Sequence, residues 1–229
     1  MFIVLEGLDG AGKSTQIRML NDFLREKKIQ SEFLHFPRFD APVFGELIAK
    51  FLRGDLGDIS TVNPYVVGLL YAGDRNDAAG IIRGWLAEGK CVLVDRYVYS
   101  NIAYQCAKFH QSSERDELRR WILDMEYSYF NIPRPDLTLF LDVPLQHVEK
   151  KLGEQRKGDD RSYLQGKQDI HEASISLQEK VRAVYLEQPG LDSSFHVVNC
   201  GDSNQQMLPP KMIFEQIKNI LNAKFSILN

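Results

Sequence analysis

The first fifteen residues, MFIVLEGLDGAGKST, constrain the fold of this chain more than any other stretch. Gly7, Gly12, Lys13 and Ser14 satisfy G-x-x-x-x-G-K-[ST], the loop that cradles nucleotide phosphates. In front of it, Phe2-Ile3-Val4-Leu5 is a short continuous apolar run, the pattern of a parallel strand buried on both faces. Behind it, Ile17, Leu20 and Leu24 fall on one face of a helical pattern, with Arg18, Asp22 and Arg25 largely elsewhere. A glycine-rich loop between a buried strand and a helix N-terminus lies where backbone N–H groups and the helix dipole favour an anion. That context disfavours the alternative of an ordinary Gly-rich turn. The segment predicts binding of a nucleoside triphosphate, with Gly7, Gly10, Ala11, Gly12, Lys13, Ser14 and Thr15 around the phosphates. The Ser14 hydroxyl is placed to ligate Mg²⁺.

Beyond this unit, strand-like and helix-like segments alternate almost from end to end. Apolar runs at residues 2–6, 31–36, 91–95, 137–142 and 195–199 read as strands. Helical patterns fill the intervals, most clearly at residues 64–88, 114–129, 145–155, 169–187 and 211–224. The alternation predicts an α/β, three-layer P-loop fold with a central five-stranded parallel sheet flanked by helices. At 229 residues one domain spans the chain, with the phosphate loop at residues 7–14. Two stretches read as mobile connections. One is Arg53-Gly54-Asp55-Leu56-Gly57-Asp58. The other, residues 153–168 (GEQRKGDDRSYLQGKQ), is charged and carries three glycines. Its Arg156, Lys157, Arg161 and Lys167 suggest a mobile lid closing over phosphates rather than a plain solvated loop.

The net charge of −3 gives no basic footprint for nucleic acid. No apolar stretch approaches the roughly 18 residues of a membrane-spanning helix. The N-terminal strand runs straight into the phosphate loop, so it does not read as a signal peptide. Cys91, Cys106 and Cys200 lack the spacing of a zinc site or disulfide framework and read as reduced thiols. These features together lead us to expect a cytoplasmic protein.

P-loop chains include GTPase switches, motor and transport ATPases, and small-molecule kinases. A GTPase needs D-x-x-G after a strand and N-K-x-D later. Asp77-Ala78-Ala79-Gly80 matches the first as a string but falls inside a helical pattern. Asn199-Cys200-Gly201-Asp202 follows a strand but lacks the lysine, and reads as a strand-end turn near the nucleotide base. By contrast, Val92-Leu93-Val94-Asp95-Arg96-Tyr97 delivers an acid and a base at a strand C-terminus, the edge where open α/β sheets bind ligands. Asp95 is placed to help hold Mg²⁺, and Arg96 to hold a second anionic group, since arginine grips phosphate bidentately. A buried strand-end salt bridge is the plainer alternative for this pair. Phosphoryl transfer asks mainly for positioning and charge neutralisation, which suits a Lys- and Arg-rich site without a Ser-His-Asp or Cys-His constellation.

Further blocks follow the phosphate loop in order. They are Phe36-Pro37-Arg38, Leu69-Leu70-Tyr71-Ala72-Gly73-Asp74-Arg75, and Asp95-Arg96-Tyr97-Val98-Tyr99-Ser100-Asn101-Ile102-Ala103-Tyr104-Gln105. Pro135-Asp136-Leu137-Thr138-Leu139-Phe140-Leu141-Asp142 comes next, and Asp169-Ile170-His171-Glu172 follows the lid. From about residue 2 to residue 185 the ordered set resembles the thymidylate kinase family. The resemblance implies phosphorylation of dTMP to dTDP with Mg-ATP for dTTP synthesis, in a homodimer. It implies catalytic roles for Lys13, Arg96, Asp9 and a lid arginine, with Asp9 contacting the deoxyribose and phosphate region of the acceptor. Arg38 and Arg96 would bind the acceptor phosphate, and Arg75 the base carbonyl or that phosphate. Tyr71 would stack on thymine, Asn101 would hydrogen-bond its edge, and Phe36 would line the same pocket. Tyr104 would lie against C2′ and crowd out a ribose hydroxyl. Core packing is the alternative for Phe36, Tyr71 and Tyr104. A cis Phe36-Pro37 bond is also implied.

The chain departs from familiar family patterns twice. Some members carry an arginine in the phosphate loop where this chain has Gly10, so Arg156 or Arg161 of the lid would substitute. His171 stands where some relatives place a tyrosine near the sugar. Asp169 and Glu172, three apart at a helix start, would face one side and assist metal or sugar, or simply favour the helix N-terminus. The rival readings are a kinase for another pyrimidine deoxynucleotide or a deoxynucleoside, and a non-enzymatic nucleotide switch. Helix 64–88 carries apolar Val66, Val67, Leu69 and Leu70, which would serve either a dimer interface or the monomer core.

Overall fold

The computed structural model describes residues 1–58, 61–153, 159–166, 169 and 175–226. Strands β1 (Phe2–Gly7), β2 (Ser31–His35), β3 (Cys91–Asp95), β4 (Leu137–Asp142) and β5 (Phe195–Asn199) form one sheet in the order β2-β3-β1-β4-β5. All four pairings are parallel. Helices α1 (Lys13–Glu26), α2 (Phe44–Leu52), α3 (Pro64–Ala87), α4 (Val98–Cys106) and α5 (Ser112–Leu123) precede β4 or follow β1 and β3. After β4 come α6 (Leu145–Gly153), α7 (Ile175–Glu187) and α8 (Pro210–Phe225). Strands β1 and β3 are buried throughout, which explains their unbroken apolar sequences. The edge strand β2 alternates between partly buried and exposed residues, and Phe33 faces solvent on it.

The strand order reverses at β1, whose neighbours are β3 and β4. A crevice at such a point, outside the C-terminal strand ends, is where open α/β sheets take ligands. The register sets Leu5 beside Asp95, and the Arg96 N–H donates to the Leu5 carbonyl at 2.9 Å. The phosphate loop after β1 and the Asp95-Arg96 pair therefore meet at one edge.

Five secondary-structure expectations need correction. The helix expected at residues 114–129 begins at Ser112 and passes into a π-helical turn, Asp124–Tyr129. That turn buries Glu126 while leaving Tyr129 exposed, a combination a continued α-helix would space differently. Residues 98–106 form α4, absent from the expected helices because nearly every side chain on it is buried and no polar face marks a period. Asp169 stands outside any helix, held by a hydrogen bond from the Tyr163 hydroxyl at 2.9 Å. The expected lid is not all loop, since Asp159–Leu164 forms a 3₁₀ turn. Finally, Arg53 does not belong to a loose connection. Its side chain is 8% exposed, and its guanidinium donates to Asp55 at 2.8 Å and to the Tyr163 carbonyl at 2.6 Å. On α3, Val67 is buried and Leu70 packs against a small core with Ile48, Phe51 and Leu52, whereas Val66 and Leu69 stay exposed. Asp77–Gly80, the GTPase-like string, lies inside α3.

Candidate active site

Gly12 caps α1 in the left-handed region at φ 84°, and Gly10 shares that region at φ 79°. Both conformations favour glycine, and the loop they shape leads into the N-terminus of α1, where backbone N–H groups and the helix dipole suit an anion. Lys13 folds over the loop, its Nζ donating to the Gly7 and Leu8 carbonyls, each at 3.3 Å. Burial depresses its pKa, and the nearby Arg96 charge adds to that. Asp95 Oδ1 lies 3.9 Å from Lys13 Nζ, and His35 Nδ1 lies 3.3 Å from Asp95 Oδ2. Burial opposes the Asp95 charge, yet Lys13 and His35 hold its carboxyl below the usual range. Ser14 is exposed at the mouth of the loop.

A cavity of about 1330 Å³ opens beside this loop and is lined by Asp9, Ser14, Phe36, Arg38, Tyr71, Arg75, Asp95, Arg96, Asn101 and Tyr104. Every one of these was expected at the site from sequence. Asp9 is the junction of loop and cavity. Its Oδ1 accepts from Arg96 Nη2 at 2.7 Å, and its Oδ2 accepts from the Tyr104 hydroxyl at 2.9 Å. Burial disfavours the Arg96 charge, but the Asp9 carboxylate holds its pKa well above the ordinary value. The plainer alternative of an Asp95–Arg96 salt bridge is not what forms, because Arg96 turns to Asp9 and Asp95 to Lys13.

Arg38 is occupied by carboxylates: Nε donates to Asp74 at 2.9 Å and Nη2 to Asp77 at 2.6 Å. Phe36 is 1% exposed, tilted against Tyr97, and joined to Pro37 by a cis bond. Tyr71 meets Phe51 edge-on and lines the same cavity. Phe39 stacks on Tyr163 with ring centroids 3.6 Å apart, bringing the 3₁₀ turn onto the cavity wall. Arg161 lies in that turn; Arg156, His171 and Glu172 fall outside the described residues. Asp169 also lines the cavity.

Sequence reasoning missed several groups that the fold brings here. Glu6 is fully buried and accepts from the Tyr97 and Ser100 N–H groups at 2.9 and 3.1 Å, so β1 caps α4. Ser100 Oγ donates to Glu6 at 2.5 Å and accepts from Arg96 at 3.2 Å. Burial raises the Glu6 pKa against those hydrogen bonds. Gln105 lines the cavity, Glu126 grips Arg75 behind it, and His147 Nε2 lies 3.3 Å from the Gly10 carbonyl. The signal for Gln105 was its place one helical turn beyond Asn101.

The residues present suit a divalent cation. Asp95 Oδ1 is buried beside the phosphate loop with no hydrogen-bond partner, the Lys13 ammonium standing 3.9 Å away. Among the described residues no group of three or more His, Cys, Asp or Glu is placed to hold a metal ion by itself. No helix among them is long and apolar enough to cross a membrane.

A family model described as thymidylate kinase matches residues 5–208. The thymidylate kinase of Mycobacterium tuberculosis is 32% identical over 188 residues, covering 82% of this chain and 85% of its own. A probable thymidylate kinase of Pyrococcus abyssi is 31% identical over 208 residues, covering 90% and 91%. Among solved structures, thymidylate kinase from Candida albicans superposes with a TM-score of 0.72 at 28% identity, covering 97% of this chain and 91% of that one.

Proposed function

This chain belongs to the thymidylate kinase family, and on that premise we propose that it transfers the γ-phosphoryl group of ATP to the 5′-phosphate of dTMP, giving dTDP and ADP. The observation that carries the proposal is the position of Asp9. It belongs to the phosphate loop, yet it is gripped by Arg96 and Tyr104 of the adjoining cavity. Donor phosphates on the loop and an acceptor phosphate at Arg96 would then face each other across one short gap. In-line transfer between two phosphates needs alignment and charge neutralisation, not a general base.

In this reading Lys13 and the loop N–H groups hold the donor phosphates. Arg96 and Arg38 take the acceptor phosphate, exchanging their present carboxylate partners for it. Tyr71 stacks on the base, Phe36 and Arg75 flank it, Asn101 meets its edge and Tyr104 packs on the sugar. A lid arginine, Arg156 or Arg161, adds positive charge at the transferring group. Ser14 and Asp95 would hold Mg²⁺, with Asp169 and Glu172 as further candidates, and the bound ion would supply charge neutralisation at the phosphates. The exposed Val66, Leu69 and Ile81 of α3 support a homodimer formed through that helix. Residues 153–168 would act as the lid and the whole chain as one kinase domain in the cytoplasm.

The test is to follow dTMP and ATP by mass spectrometry after adding the protein. Equimolar dTDP and ADP are expected. Loss of ATP without dTDP would contradict the proposal.

A further inference from the structure

Glu6 lies fully buried on β1, immediately before Gly7 of the phosphate loop, and its carboxylate meets donors from two helices. Oε1 accepts from the Tyr97 and Ser100 N–H groups at 2.9 and 3.1 Å. Oε2 accepts from the Ser100 hydroxyl at 2.5 Å and from the Tyr185 hydroxyl at 2.9 Å. The first pair caps α4, whose own N-cap residue, Tyr97, makes no side-chain bond to it. Capping needs only Oε1, whereas a buried carboxylate is costly unless all of it is held. The second oxygen has a different use.

A serine hydroxyl carries one proton, and Ser100 donates it to Glu6. Tyr185 also donates to Glu6, from a buried ring stacked on Phe140 with centroids 4.4 Å apart. The Ser100 oxygen is thereby left as an acceptor, and it takes Arg96 Nη1 at 3.2 Å. Arg96 gives Nη2 to Asp9 at 2.7 Å and its backbone N–H to the Leu5 carbonyl at 2.9 Å. A phosphate that takes over the Asp9 contact leaves the Ser100 contact in place. Ser100 and Arg96 line the cavity, whereas Glu6 and Tyr185 stand outside its lining.

We propose that Glu6 and Ser100 are positioning residues for Arg96. The Glu6 carboxylate fixes the Ser100 hydroxyl with a lone pair toward the guanidinium, and Ser100 in turn holds Arg96 ready for an acceptor phosphate. Tyr185, on the helix that follows the lid segment, completes the network. The inference rests on the kinase reading above.

The test measures kcat and KM for dTMP and for ATP in the wild type, Ser100→Ala, Glu6→Gln and the double variant. Ser100→Ala keeps the N–H that caps α4 and removes only the hydroxyl relay. Its kcat/KM for dTMP should fall by roughly tenfold to a hundredfold, the worth of a hydrogen bond to a charged group. Its KM for ATP should not change; general damage at the end of β1 would move it, because the phosphate loop begins there. Glu6→Gln leaves one oxygen for the cap but sets an amide N–H against the Ser100 oxygen, in competition with Arg96. It should lower kcat/KM for dTMP by about tenfold. In the double variant the losses should not add, and kcat/KM should match that of Ser100→Ala. Likewise, Ser100→Ala should cost nothing further in an Arg96→Ala background. Additive losses in either pair, or unchanged kcat/KM in Ser100→Ala, would overturn the inference while a dTMP-active wild type keeps the kinase reading. If Glu6→Gln fails to fold, Ser100→Ala with and without Arg96 decides. A wild type that does not turn over dTMP overturns both.

Discussion

Asp9 of the phosphate loop and Arg96 at the end of β3 are paired at 2.7 Å, and in the proposed function that contact lies between the donor and acceptor phosphates. Arg96 adopts φ 66°, a conformation that costs a non-glycine residue on the order of 1 kcal/mol and recurs at functional sites. Its contacts to Asp9 and Ser100 hold it there. Arg96→Ala should lower kcat/KM for dTMP by roughly 10²- to 10³-fold, the usual loss when one preorganised charge donor is removed. Steady-state kinetics check this, and a change under about threefold would contradict the acceptor-phosphate role.

Lys13 makes its contacts to Gly7, Leu8 and Asp95 at 3.3 to 3.9 Å, none of them short. Its removal should therefore harm chemistry far more than folding. Lys13→Ala is expected to cut kcat by about 10²- to 10³-fold with a thermal midpoint close to the wild type. Near-normal turnover in a folded variant would refute its role at the phosphates.

Arg75 and Glu126 form an ion pair 2% and 0% exposed. A buried pair contributes little net stability while intact, but losing one partner strands the other charge. Glu126→Ala should cost roughly 3–5 kcal/mol in urea unfolding, because Arg75 keeps its charge at any accessible pH. A loss under about 1 kcal/mol would mean that Arg75 finds water or another acceptor.

How much of this was legible depends on whether a feature is local. Strands β1, β3 and β4 are runs of apolar residues because both faces of the sheet are covered, so their sequences mark them. The phosphate loop and the Asp95-Arg96 strand end are legible for the same reason, each being one continuous segment. Helix α4 carries the clearest family block yet hides its helix, since burial on all sides erases the period. Pairings distant in sequence were out of reach. Glu6 reaches Tyr185 across 179 residues, and Arg38 reaches Asp74 across 36, so nothing in either neighbourhood announces the partner.

Burial raises the thiol pKa of Cys91, Cys106 and Cys200 to about 12. All three side chains are shielded from solvent. Iodoacetamide at pH 8 should leave the native protein unmodified and alkylate every cysteine once urea unfolds it, as intact mass would report. Rapid native labelling would show that the segments around these cysteines open easily.

The most direct measurement is acceptor-dependent ADP release from Mg-ATP with dTMP, dUMP, thymidine, CMP and AMP compared side by side. The account predicts strong preference for dTMP, with the acceptor phosphate required and the ribonucleotides poor. Turnover favouring thymidine would contradict the phosphate-binding roles of Arg38 and Arg96. Release of ADP that ignores every acceptor would contradict phosphoryl transfer altogether.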